Sequence, residues 1–280
     1  MEFDMGRAWN DAMALLRANR DVVLIVAAVF FFLPYLTLVL LMPDYAAAMG
    51  AGGMAQPADP SQAFDAALEQ MAATFDQVKW LILGSAILQG IGMLGLLTLL
   101  TDKRRPTVGE ALVIGAKCLI PYILAQLLMG FALMLLMFIP IMVGASTNVA
   151  IGVLLGLVAF VALCYLMTKF SLVAPVIAIE RVFNPIAALQ RSWRLTKGNS
   201  VRLFFFYVLL FVVAAVISIV VGLFVALFAA VGGETAGQIA NGVIDGFFNM
   251  VVAVLFLAVL AATHKQLAGP STEAVSETFE

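Results

Sequence analysis

A chain of 280 residues that is 64% hydrophobic and 11% charged is far from the roughly 25% charged content of soluble domains. That balance excludes a soluble globular protein, and a formal net charge of −2 gives no reason to expect a nucleic-acid partner. The single histidine and the two cysteines, Cys118 and Cys164, match no metal spacing. No metal or cofactor is therefore expected, and the thiols read as reduced and inert.

The first twenty residues are mostly polar and contain an amphipathic stretch over 5–19. An apolar run follows over 22–42, longer than the roughly 7–15 residues of a signal-peptide core. Despite the small residues Ala46, Ala47 and Ala48, it reads as an uncleaved first span. Residues 50–60 are rich in Gly, Ala and Pro and are expected to be mobile. Over 61–77, Ser61 can cap a helix whose Phe64, Leu68, Met71, Phe75 and Val78 recur at helical spacing. Asp65, Glu69 and Asp76 take its polar side, so it is expected either on the outer membrane–water boundary or as a roof over the bundle.

Further apolar runs cover 78–101, 119–143, 151–168, 203–230 and 243–263. Each is close to or beyond the ~18–20 residues that cross about 30 Å of hydrocarbon. The basic residues alternate between the connections. Arg7, Arg17 and Arg20 precede the first run; Lys103, Arg104, Arg105 and Lys117 precede the third. Lys169, Arg181, Arg191, Arg194, Lys197 and Arg202 lie around the loop before the fifth, and Lys265 follows the sixth. Only Lys79 falls on the other side. Basic residues stay where the chain is not translocated, so six spans with both termini in the cytoplasm are predicted.

Short amphipathic stretches over 5–19, 107–117 and 185–197 each precede a pair of spans. Aligning Ala8, Ala111 and Ala188 brings Trp9, Leu112 and Leu189 together, then Ala12, Gly115 and Ser192. The predicted architecture is all-α, with three membrane hairpins, each led by a cytoplasmic interfacial helix. Parallel repeats of this kind place any central cavity on an axis along the membrane normal. Residues 1–268 form the membrane domain, and the acidic tail over 269–280 is expected to be disordered.

The stretch 169–202 is the most distinctive. Asn184 is a good cap, Pro185 suits the first helical position, and Gly198 supplies a stop. Ile186, Leu189 and Trp193 share one face, with Arg191 and Arg194 turned away. Such a helix lies in a membrane interface with its aromatic residue at headgroup depth. Each basic group near an anionic leaflet contributes about 1 kcal/mol of attraction. Arg191, Arg194, Lys197, Trp193 and Arg202 are therefore the candidate contacts for anionic membrane lipid. The competing reading is that they only anchor the topology. Glu180 is expected to pair with Arg181, Arg191 or Arg194; the Glu180–Arg181 pair is taken as structural.

This same stretch carries a family resemblance. Phe170-Ser171-Leu172-Val173-Ala174-Pro175, then Glu180-Arg181, then Ala188-Leu189-Gln190-Arg191-Ser192-Trp193-Arg194-Leu195-Thr196-Lys197-Gly198-Asn199, resembles the bacterial glycerophosphoryl diester phosphodiesterase membrane-domain family. The resemblance implies a membrane module connected with envelope lipids, in the bacterial inner membrane. In some relatives such a module is fused to a soluble barrel that hydrolyses glycerophosphodiesters with a metal ion. That chemistry needs several histidines and acids, and no soluble segment here exceeds about 35 residues. No catalytic residue carries over, and the chain is expected to be non-enzymatic.

Ionisable residues within spans are costly and are functional candidates by default. Asp245 and Asn249 share a face of the sixth run, Gln89 is in the second and Gln126 in the third. Converging, they would line a polar path or hold a headgroup; apart, they make isolated interhelical hydrogen bonds. His264 reads as an interfacial residue. Gly152–Gly156, Gly242–Gly246 and Ala86–Gly90 are small-residue pairs that let helices approach, and Pro34, Pro140 and Pro175 kink or end spans. The leading expectation is a protein that binds or helps to move envelope lipids. The alternatives are a structural module that assembles with another envelope protein and, less favoured, a small-solute transporter using Asp245.

Overall fold

The computed structural model describes residues 2–41, 60–102 and 106–269, and all regular structure among them is helical. Among the described residues six helices are long and apolar enough to cross a membrane, which makes this a multi-pass membrane protein. The expected mobile segment before Pro60 and the acidic tail beyond Gly269 lie outside the described residues.

Helix α1 (Met5–Ala18) starts where the Asp4 carboxylate accepts the Arg7 N–H at 3.0 Å, and it buries Ala8 and Ala12. Helix α2 (Arg20–Leu41) follows after Asn19 and contains a π-turn over Ala28–Phe32. In that turn the Leu33 N–H reaches the Ala28 carbonyl, five residues back, just before Pro34. A proline lacks an N–H and crowds the carbonyl four residues earlier, so a widened turn in front of it relieves the clash.

Helix α3 (Pro60–Thr101) is continuous over 42 residues, so the stretch 61–77 and the run 78–101 are one helix. Helix α4 (Val108–Ser146) likewise joins 107–117 to 119–143, which corrects the expectation of a separate interfacial element there. Its start is set by a reciprocal box: Thr107 N–H donates to Glu110 at 2.9 Å, and Glu110 N–H donates to the Thr107 hydroxyl. No glycine or loop interrupts the chain between Lys117 and Leu119, and Pro121 and Pro140 are both accommodated inside the helix.

Two residues separate α4 from α5 (Val149–Phe170), which is capped by the Asn148 side chain accepting the Ala150 N–H at 2.8 Å. The two helices pack together and come closest at Gly144 and Gly152. A Cβ added to Gly152 would stand 2.6 Å from the Gly144 Cα, so only hydrogen fits at either position. Gly156 has open space around it, so the close approach uses Gly152 with Gly144 and not the expected Gly152–Gly156 pair.

The short helix α6 (Val173–Ile179) is buried almost throughout, including Pro175, and packs on α4, where the Cys118 thiol points at the Ile177 carbonyl, 3.6 Å away. Cys118 is buried and Cys164 half-buried, and both are free thiols. Helix α7 (Pro185–Leu195) packs against α4, α5 and α6. Gly198, at φ 86, then turns the chain into α8 (Ser200–Gly233). Gly233, at φ 76, separates α8 from α9 (Thr235–Ala268), which contains a second π-turn over Asn241–Asp245.

The chain divides into two compact units. One holds 1–23, 93–213 and 255–280, with a core of Leu94, Leu96, Leu97, Leu172, Val176, Ile177, Leu203 and Val259. Phe3 is tied into it by its N–H, which donates to Asn199 at 2.9 Å, and by its ring against Phe206. The other unit holds 24–92 and 214–254. There Gly242 rests on Leu36 and Gly246 on Tyr35 and Phe32, so the expected small-residue pair does seat α9 against α2. In hydrocarbon such contacts hold helices together by van der Waals packing, because lipid tails are as apolar as the side chains.

Candidate functional site

Helix α7 begins where the Asn184 carboxamide oxygen accepts the N–H groups of Ile186 (3.0 Å) and Ala187 (3.2 Å), with Pro185 at the first helical position. Its inward face is Ala188, Ser192 and Leu195. The Ser192 hydroxyl donates to the Lys169 carbonyl at 2.8 Å, and buried Thr196 donates to the Ser192 carbonyl at 3.0 Å. The Ser192 bond ties the helix to the end of α5, and the Thr196 hydroxyl also lies 3.4 Å from the Lys169 carbonyl. Ile186, Gln190, Trp193 and Arg194 are left exposed.

On that outer side Phe170, Ile186, Leu189, Gln190, Trp193 and Arg194 line an open groove of about 430 Å³. Trp193 meets Tyr165 edge-on at 5.9 Å and Phe170 at 5.6 Å between ring centroids. The Lys169 ammonium sits 5.4 Å from the Tyr165 ring and 5.2 Å from the Trp193 ring, although the residue is only 2% exposed. Two aromatic faces therefore stabilise a cation behind the groove.

Glu180 does not pair with Arg181. Its carboxylate accepts from Arg191 Nε at 2.8 and 3.2 Å, from Arg191 Nη2 at 3.1 Å, and lies 2.9 Å from His264 Nε2. Arg181, at φ 55, reaches Asp102 Oδ2 at 3.6 Å. Burial alone would raise the Glu180 carboxyl, but hydrogen bonds from His264 and Arg191, together with their charges, outweigh it. The carboxyl is held down at about 2. His264, expected at an interface, is 4% exposed and belongs to this cluster.

The five candidate lipid contacts thus separate. Arg191 is taken by Glu180, and Arg202 pairs with Glu2. Arg194 and Lys197 are exposed, and neither forms an ion pair among the described residues. Trp193 is a wall of the groove.

The polar residues of the spans do not form one group. Asp245 accepts the Tyr35 hydroxyl from α2, and Asn249 Nδ2 lies 3.4 Å from the same carboxylate and 3.1 Å from the Asp245 carbonyl. Gln126 donates to Tyr122 on its own helix at 2.6 Å. The Gln89 side chain makes no hydrogen bond among the described residues. Tyr35, Lys169, Phe170 and His264 are site residues that the sequence reading did not single out. His264 and Glu180 are separated by 84 positions, so no local spacing could announce their pairing. Phe170 is legible in the sequence only as the first residue of the family-like motif, and Lys169 only as one of the basic residues that set the topology.

Comparison with known proteins adds one finding. No curated protein and no solved structure matches the chain. Residues 137–268, which contain α5, α6, α7 and the Glu180 cluster, match the family model described as the membrane domain of glycerophosphoryl diester phosphodiesterase, the family that the 169–202 motif resembles.

Proposed function

We propose that this chain is a non-catalytic protein of the bacterial inner membrane that binds, or helps to move, an anionic envelope lipid at α7. On this reading both termini are cytoplasmic and α7 lies along the inner membrane–water boundary. The observation that carries it is the groove that Arg194 lines together with the apolar Phe170, Ile186, Leu189 and Trp193. A phospholipid has the same polarity, with a phosphate at one end and hydrocarbon at the other. The planar guanidinium of Arg194 can hold a phosphate through two parallel hydrogen bonds, and Gln190 can meet the neighbouring oxygens. Lys169, behind the aromatic wall, adds positive field without touching the ligand.

Native mass spectrometry in mild detergent tests this. With about 1 kcal/mol at stake for a basic group at an anionic surface, Arg194→Ala is expected to weaken retention of phosphatidylglycerol about fivefold or more. Arg191→Ala serves as a contrast, because its guanidinium is held by Glu180 and its loss acts through α7 packing. An Arg194→Ala protein that retains as much anionic lipid as the parent would refute the reading.

A further inference from the structure

Helices α4 and α5 touch closely at Gly144 and Gly152 and then enclose a second, wholly apolar groove of about 190 Å³. Leu136 and Pro140 line it from α4, and Leu155, Ala159 and Ala162 from α5. The small side chains Ala159 and Ala162 leave the space, and no polar residue borders it.

This groove and the one at α7 share helix α5. Eleven residues separate Ala159 from Phe170, which is three helical turns with a rotation of only about 20°, and a rise of about 16 Å. The two grooves thus open on one face of one helix. Leu163 and Leu166, both half-buried, occupy that face between them. Half the roughly 30 Å thickness of the hydrocarbon layer is about 15 Å, so the spacing equals the depth of one leaflet.

We infer that the α4–α5 groove receives the end of an acyl chain of the same lipid whose phosphate meets Arg194, so the site selects lipids by chain length. The inference rests on the lipid reading above and deepens it: the ligand is a long-chain anionic phospholipid, not a water-soluble phosphodiester. Moving a chain from surrounding lipid into the groove gains no hydrophobic free energy. Selection instead comes from the dispersion contacts a chain end makes with the groove walls.

The full chain, in mild detergent, is offered equal amounts of short-chain and long-chain phosphatidylglycerol, and the bound ratio is read by native mass spectrometry. The parent is expected to hold the long-chain lipid severalfold more. Ala162→Phe fills the groove and should bring the ratio close to one while phosphatidylglycerol is still held over phosphatidylcholine. Leu155→Ala, which only removes atoms from the wall, should lower the ratio as well. A parent that holds both chain lengths equally overturns this inference alone, and one that retains neither overturns the lipid reading with it. An unchanged ratio in Leu155→Ala, or in an Ala162→Phe protein of parental thermal stability, also overturns it.

Discussion

Replacing Glu180 with Gln removes the charge that holds α7, the loop before it and the end of α9 together. The carboxyl is held at about 2 against an ordinary 4.5, which corresponds to about 3 kcal/mol of preference for the ionised form in the native state. The side chain is 21% exposed, so solvent screening is modest, and a loss of about 2–3 kcal/mol at neutral pH is expected. For a chain of this size about 1 kcal/mol moves the midpoint by about 2–4 °C, so the shift should be about 4 °C or more. The sign with pH follows from the depressed value. The stabilisation is fully present above the ordinary carboxyl range and is lost as pH falls from about 4.5 through about 2. Thermal unfolding in detergent, followed by intrinsic fluorescence across that window, should show the parent losing stability with acid. Glu180→Gln should show a flatter acid limb from a lower start. A variant with the parental midpoint at neutral pH and a parental acid limb would refute the electrostatic account of this cluster.

Gly152→Ala places a Cβ 2.6 Å from the Gly144 Cα, so α4 and α5 must separate near their turn. A cost of about 1–3 kcal/mol is expected, read as a lowered thermal midpoint, while Gly156→Ala, in open space, should be close to neutral. Tyr35→Phe removes the hydroxyl that donates to Asp245 and should cost about 0.6–2 kcal/mol. Asp245→Asn keeps an acceptor for that hydroxyl and should cost less, so a cost equal to that of Tyr35→Phe would show that the charge, and not the hydrogen bond, matters.

The six spans were readable because crossing hydrocarbon is a local demand, met residue by residue within each run. The cap at Asn184 and the stop at Gly198 were readable for the same reason, since each acts on its own helix end. Three things were not local. The continuity of 107–117 with 119–143 depends on the absence of a breaker, which a change from polar to apolar composition does not reveal. Glu180 takes its partners from α7 and α9, further along the chain, while the adjacent Arg181 reaches Asp102 instead. The partner of Asp245 is a tyrosine 210 positions earlier, brought in by the seating of Gly242 and Gly246. The α7 face is anticipated in outline, yet the sequence leaves Arg191 both a lipid contact and one of three possible partners of Glu180, because nothing in the spacing distinguishes it from Arg194.

The π-turn at Ala28–Phe32 acts as a phase corrector for the rest of α2. Because each helical residue advances about 100°, one residue absorbed in a widened turn shifts the angular setting of everything beyond it by about that much. Tyr35, Leu36 and Val39 meet Asp245 and Gly242 only with that shift in place. Deleting the one residue that the widened turn absorbs would restore a regular α-helix over 28–32 and leave Tyr35 facing the carboxylate. This segment should therefore tolerate the loss of one residue better than the regular turns of α2 would.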